Sequence, residues 1–433
     1  MVNWIIKNKK LIILLTLIFA VTLGYALYFR ITPRVDARAY DGIAWNLVER
    51  QVYKEQITES FAKDKSIQRA GPAYEYMVAG TFFLFGHRYL PVWILQAALH
   101  AFTAFLIYLI MKKIFKEEQG ESAAFLAAGI FGFHPDLVEI SAMLMTETLF
   151  LFIIVAIIYL FIKIYENANT RRYSLAMGAS MGLGIMARPT VLFFLPVFFV
   201  LYALRKKYFN FILLLLTAII LLAHWAARNY KIYHQFITTT LIGEYNLWVG
   251  NTLNSDGGQI GGGFNPFDDY IEKNNYYTVR QAASDSFRNF LIQHPGTFVE
   301  LTAIRFVRYF SLLRPMGFWL YQSGLSQKIF VAFSAVAIVL LFISGLSGAL
   351  KLWRRNALFK YLIILAATSP LPLLITVVQS RYRFPLYPFL AIFGGYFIAQ
   401  AIKNRGWWKE KTFIVAVVFL GLVSAIELYL NLN

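Results

Sequence analysis

In the stretch RVDARAYDGIAWNLVERQVY, Arg34 to Tyr53, Asp36 and Tyr40 stand four residues apart. On a helix they share one face, with Asp41 turned partly away. Arg34 and Arg38 flank Asp36, which keeps its carboxylate ionised and able to accept a proton or a hydrogen bond. Between Arg30 and Arg69, eight Lys or Arg accompany six Asp or Glu. That mixture suits a site for an anion, with one or two carboxylates reserved for another task. A plainer reading also stands, in which Asp36 and Asp41 are interfacial polar residues capping a short helix.

Glu147 lies in HPDLVEISAMLMTETLFLFIIVAIIYLF, about two turns inside the outer end of an apolar run. An ionisable group at that depth is expensive and points to function. The alternative is a packing role, with Glu147 paired to Arg188 or to a neighbouring helix. Arg69, Arg188 in ARPT, and Arg381 and Arg383 in QSRYRFPLYP mark the outer ends of different runs. Guanidinium forks match phosphate bidentately. Each arginine alone could snorkel toward lipid headgroups, but four together read as one pocket.

Other chemistries find no support. There are no cysteines, which excludes thiolate catalysis and Cys-ligated zinc. The glycine-rich GGQIGGG lacks the lysine of a phosphate-cradling loop, and no GxSxG is present. The six histidines show no metal-ligand spacing. Asp36, Asp41 and Glu147 could hold Mg²⁺ or Mn²⁺ through oxygen, yet no spacing demands it, so no cofactor is required.

What must position these residues is a membrane. The chain has 433 residues, 58% of them hydrophobic, well above a soluble domain. We read about eleven spans, near 11–29, 89–111, 122–140, 142–162, 174–188, 189–204, 208–227, 328–350, 358–378, 384–402 and 412–430. The net charge of +18 follows the positive-inside rule, since basic clusters such as LRKKY alternate with turns holding only Arg188, Arg381 and Arg383. These clusters are topology signals, and no nucleic-acid partner is expected. The rule places the N-terminus in the cytoplasm of a plasma (inner) membrane protein, with the chemistry on the extracytoplasmic side.

Three parts follow: a bundle over 1–227 with an outer loop at 30–88, a small outer domain at 228–327, and C-terminal spans at 328–433. The outer loop carries an interfacial helix in AGPAYEYMVAGTFFLFG, Ala70 to Gly86. The glycine-dense NSDGGQIGGGFNPF reads as a mobile lid on the outer domain. The fold class is therefore an all-α polytopic membrane protein.

Several pieces recur in order along most of the chain. Asp-x-x-x-Tyr follows the first span, here Asp36 and Tyr40, and the Pro-Tyr helix RAGPAYEYMVAGTFFLFG comes next, with Tyr74 in it. HPDLVEISAMLMTETLF, GLGIMARPTVLFFLP, EYNLWVGNTLNSDGG and SRYRFPLYPFLAIFGGYF complete the set. The set resembles the GT-C superfamily of polytopic glycosyltransferases, especially the branch with protein O-mannosyltransferases and the lipid A aminoarabinose transferase. Many relatives carry an adjacent Asp-Glu pair where Ala37 follows Asp36 here.

The resemblance implies a GT-C-like fold and a sugar donor linked to a polyprenyl phosphate. It places Asp36 near the catalytic centre, and Arg69, Arg381 and Arg383 on the donor phosphate. Asp36, Glu147 and Asp41 are the catalytic candidates. Tyr40, Arg38, Arg69, Tyr74, Arg188, Arg381 and Arg383 are the substrate-binding ones. The acceptor would be a hydroxyl on a lipid, glycan or protein. The rival class is a transporter or flippase for an anionic lipid or solute; such sites usually lie near the midplane, whereas these charges gather at one face.

Overall fold

The computed structural model describes residues 8–115, 119–258, 265–313 and 321–432. Among them the chain is helical, with no strand. The helices in order are α1 Lys9–Phe29, α2 Asp36–Arg50, α3 Pro72–Phe85, α4 Tyr89–Ile114, α5 Gln119–Gly132, α6 Pro135–Ala142 and α7 Glu147–Tyr165. Next come α8 Thr170–Ala187, α9 Leu195–Leu204, α10 Tyr208–Tyr233, α11 Ile242–Gly250, α12 Pro266–Lys273, α13 Val279–Gln293 and α14 Pro295–Phe310. The set closes with α15 Gly324–Leu352, α16 Ala357–Thr368, α17 Leu371–Leu374, α18 Tyr387–Lys403 and α19 Lys411–Leu432. Short 3-10 turns at Lys65–Gln68, Pro189–Phe194 and Ser380–Leu386 lead toward the site.

Among the described residues, eight helices are long and apolar enough to cross a membrane, or nine if α5 and α6 count as one bent span. The protein is thus multi-pass, but with fewer full spans than the eleven expected. The difference has local causes. At His134–Pro135 the helix bends by 51°, because proline removes an amide donor and its ring crowds the preceding turn. The expected span at 189–204 opens at Pro189 as a 3-10 turn and keeps only a 10-residue α-helix, about half the hydrocarbon thickness. The expected span at 174–188 is α8, whose apolarity is diluted by glycines. Added Cβ atoms on Gly178 and Gly182 would meet Leu214 O at 2.4 Å and Leu221 at 3.0 Å, so these glycines let α8 press against α10.

Above the bundle, α11 and α12 share a small core with the outer loop, built on Ile67, Tyr233, Leu241, Val249, Phe267 and Tyr276. Backbone bonds from Leu241 N to Ile67 O (2.8 Å) and from Tyr276 N to Ala62 O (2.9 Å) tie the two segments together. Helix α14 instead descends along α19, with Phe306 and Phe310 ringed on Phe419. Of the glycine-rich stretch 254–267, residues 259–264 lie outside the described residues, so the centre of the expected lid does too.

Candidate active site

The site grows from a strained turn. Val35 sits at φ 47°, a conformation that costs a β-branched residue roughly 1–3 kcal/mol. The chain then enters α2 at Asp36, where a carboxylate complements the exposed amides of the first helical turn. Opposite, Gly71 lies so close to the end of α8 that a Cβ there would meet Met186 O at 2.0 Å. This contact brings the loop bearing Arg69 beside Arg188, the residue that ends α8.

Between them lies a cavity of about 160 Å³, lined by Asp36, Tyr40, Arg69, Arg188 and Arg381 among others. Gln68, Tyr245 and Asn246 supply a neutral polar wall, while Ile242, Leu373 and Pro385 are apolar. The first turns of α2 and α11 both reach the cavity, through Asp36 and Ile242. Their aligned amides add positive potential to that of the arginines.

The charges form an alternating line. Glu55 clamps Arg69 through Nε and Nη2 at 2.8 and 2.7 Å. Arg69 Nη1 donates to Asp36 Oδ1 at 3.2 Å, and Arg381 Nη2 donates to Asp36 Oδ2 at 2.7 Å. Arg381 Nη1 lies 3.9 Å from Glu147 Oε1, which accepts from Arg188 Nη2 at 2.6 Å. Arg188 Nε also donates to Thr146 Oγ1 at 3.0 Å. Tyr382 presents its ring to both Arg188 (5.8 Å) and Arg381 (5.4 Å). Burial alone would raise the Asp36 pKa, but the Arg381 and Arg69 guanidiniums override it and hold the carboxyl below its ordinary value.

Of the residues singled out from sequence, Asp36, Tyr40, Arg69, Arg188 and Arg381 therefore meet at one cavity, and Glu147 stands directly behind it. The others lie elsewhere. Asp41 accepts from Tyr89 (3.2 Å) and pairs with His87 Nε2 (2.8 Å), whose ring stacks on Trp45. Arg38 is exposed. Tyr74 is fully buried, donates to Gln96 Oε1 at 2.7 Å and supports Tyr40 edge-on from behind. Arg383 is fully buried away from the cavity, with Nη1 on Ser311 O at 2.6 Å and its guanidinium over Phe342. It parts from Arg381 because residues two apart on a 3-10 turn point roughly 240° apart.

Glu147 is the first residue of α7, not two turns into a span. Glu55 and Tyr382 were missed. Nothing in the sequence separates Glu55 from the other acids of its loop, while Tyr382 sits between the two arginines of SRYRF.

The carboxylates do not assemble a cation cage. Among the described residues no three His, Cys, Asp or Glu side chains come together. Both oxygens of Asp36 face guanidiniums, Glu147 is paired to Arg188, and Asp41 is spoken for by His87. The residues present do not fit Mg²⁺ or Mn²⁺.

Residues 69–227 match the model of the dolichyl-phosphate-mannose-protein mannosyltransferase family. Among curated proteins, none matches the chain. The Archaeoglobus fulgidus oligosaccharyltransferase tethered to an acceptor peptide is 13% identical, with TM-score 0.53, over 98% of this chain and 54% of that one. The same organism's AglB, in complex with an inhibitory peptide and a dolichol-phosphate, is 12% identical with TM-score 0.50, over 99% and 55%. The chain thus spans about half the length of these oligosaccharyltransferase structures. ArnT from Cupriavidus metallidurans, bound to undecaprenyl phosphate, is 12% identical over 90% of this chain and 78% of that one, at a TM-score of 0.41 too low to build on. The resemblance to the GT-C superfamily is borne out, and the fold is GT-C-like.

Proposed function

We propose that this chain is an integral membrane glycosyltransferase that moves a sugar from a polyprenyl-phosphate donor to a hydroxyl acceptor at the extracytoplasmic face. The observation that carries the proposal is a carboxylate, Asp36, set between Arg69 and Arg381 in one cavity at the helix tops. The mannosyltransferase-family match over 69–227 and the dolichol-phosphate in the AglB complex support a lipid-phosphate donor.

A glycosyl phosphate has a good leaving group, so the chemistry needs cations on the departing oxygen and a base on the acceptor. Arg69, Arg381 and Arg188 would hold the phosphate. The bond from the anomeric carbon to the phosphate oxygen breaks, its electron pair staying on the phosphate. The acceptor oxygen bonds to that carbon from the opposite side, inverting it, and its proton passes to Asp36. Residues 228–327 would form the outer cover, since Ile242, Tyr245 and Asn246 line the cavity.

The test is turnover of purified protein in lipid nanodiscs with a panel of radiolabelled polyprenyl-phosphate sugars. At least one donor should be consumed, and Asp36→Asn should lower its turnover roughly 10²–10⁴-fold. Asp41→Asn should stay near wild type. Near-normal turnover in Asp36→Asn would remove it as the base.

A further inference from the structure

We infer that Asp36 is the resident anion of the phosphate site, displaced from Arg69 and Arg381 when a phosphate enters and thereby released as a base. The inference rests on the glycosyltransferase reading and adds an order of events to it. The same two guanidiniums that would hold the donor are already occupied, each by one oxygen of Asp36, at 3.2 and 2.7 Å. A carboxylate gripped from both sides by guanidiniums is held as a poor proton acceptor, because both cations favour its charged form, so the resting arrangement is that of a weakened base.

Charge balance makes displacement necessary. Along the line Glu55, Arg69, Asp36, Arg381, Glu147 and Arg188, three carboxylates match three arginines. A phosphate added to this neutral set would leave its charge unmatched in a largely buried site, which is costly. One carboxylate must therefore yield its place or take a proton. Geometry selects which. Asp36 lines the cavity, whereas neither Glu55 nor Glu147 does. Glu147 is 2% exposed behind the wall, and Glu55 grips Arg69 on the edge opposite Asp36. Those two acids would keep the arginines aimed while Asp36 moves.

The strained Val35 immediately before Asp36 gives the side chain a turn that can relax. Once its arginines face phosphate oxygens, Asp36 loses the cations that depress its pKa, and burial then favours proton uptake. The groups facing Asp36 are Arg69 from the outer loop, Arg381 from the 3-10 turn, Arg188 ending α8, Tyr40 on α2 and Glu147 on α7. Donor phosphate would in this way switch on the base that acts on the acceptor, and an acceptor arriving first would find it occupied.

The test is equilibrium binding of a polyprenyl monophosphate to the full-length protein, with the corresponding polyprenol as control. Removing the resident anion should help the incoming one, so Asp36→Asn should bind the monophosphate about tenfold or more tighter than wild type. Glu55→Gln, which removes an equal charge but frees Arg69 from its clamp, should bind no tighter than wild type. Unchanged or weaker binding in Asp36→Asn overturns the inference. So does equal tightening in both variants, which would be a net-charge effect alone. If the variants do not fold, wild type carrying isotope-labelled aspartate decides: adding the monophosphate should shift an aspartate carboxylate infrared band, and no shift refutes displacement. Tighter binding without turnover of any donor would sink the glycosyltransferase reading and leave the exchange standing. Asp36-dependent turnover with unchanged affinity would do the reverse.

Discussion

The pair formed by Glu147 and Arg188 lends itself to a double-mutant cycle. Glu147 is 2% exposed and Arg188 13%, with 2.6 Å between Oε1 and Nη2. At an effective dielectric of 20 that separation corresponds to roughly 6 kcal/mol of gross attraction, most of it cancelled by the cost of stripping water from both groups. Removing only the acid is different, because it leaves a buried guanidinium without its counter-charge. Glu147→Leu should therefore cost about 3–5 kcal/mol, toward the lower end because Arg188 keeps Thr146 and reaches the cavity.

Replacing both partners, Glu147→Leu with Arg188→Met, removes the charge together with its partner and should return to within about 1 kcal/mol of wild type. The coupling energy should come out at about 2 kcal/mol or more. The assay is equilibrium unfolding in mixed detergent micelles for wild type, both single variants and the double variant. A double variant as unstable as Glu147→Leu alone, with coupling below about 0.5 kcal/mol, would refute the claim that Glu147 exists to hold Arg188.

Two more outcomes follow from buried features near the site. Glu75, fully buried on α3 and bonded by the Tyr53 hydroxyl at 3.1 Å, has its pKa pushed from 4.5 to about 8 by burial. The folded state then holds a proton that the unfolded chain gives up, so its stability is intact below pH 4.5 and declines as pH rises to about 8, by roughly 5 kcal/mol at most. Glu75→Gln should flatten this decline in a pH series of thermal unfolding; identical profiles would contradict the burial account. Gly71→Ala should lower the melting temperature markedly, since its Cβ would meet backbone oxygen at 2.0 Å, whereas Gly80→Ala, inside α3 with nothing within 4 Å, should leave stability unchanged or raise it by about 0.5–1 kcal/mol.

Much of the molecule was legible one residue at a time. Hydropathy marks the spans because a bilayer imposes length and apolarity locally, and α1, α4, α7, α10, α15 and α19 fall where the apolar runs lie. Helical spacing also sufficed to place Asp36 and Tyr40 on one cavity and to turn Asp41 away from it, since both follow from rotation about a single helix. Where a span was replaced by a bend or a short piece, the cause was a proline or a glycine-rich contact whose partner lies on another helix.

The partners of Asp36 could not be read this way. Its neighbours in sequence, Arg34 and Arg38, suggested the right ionisation state for the wrong reason. Arg34 stacks toward Tyr321, Arg38 is exposed, and the cations that hold Asp36 are Arg69 and Arg381, the latter 345 positions along the chain. Likewise, Arg381 and Arg383 look equivalent in SRYRF, but a 3-10 turn sends one to the cavity and the other into the core. Sequence by itself determined that the chain is a helical, multi-pass membrane protein and which charged residues accompany its apolar runs, because composition and periodicity are local properties. Only the tertiary structure decided which charge meets which, because a Coulomb contact depends on distance through space and not along the chain.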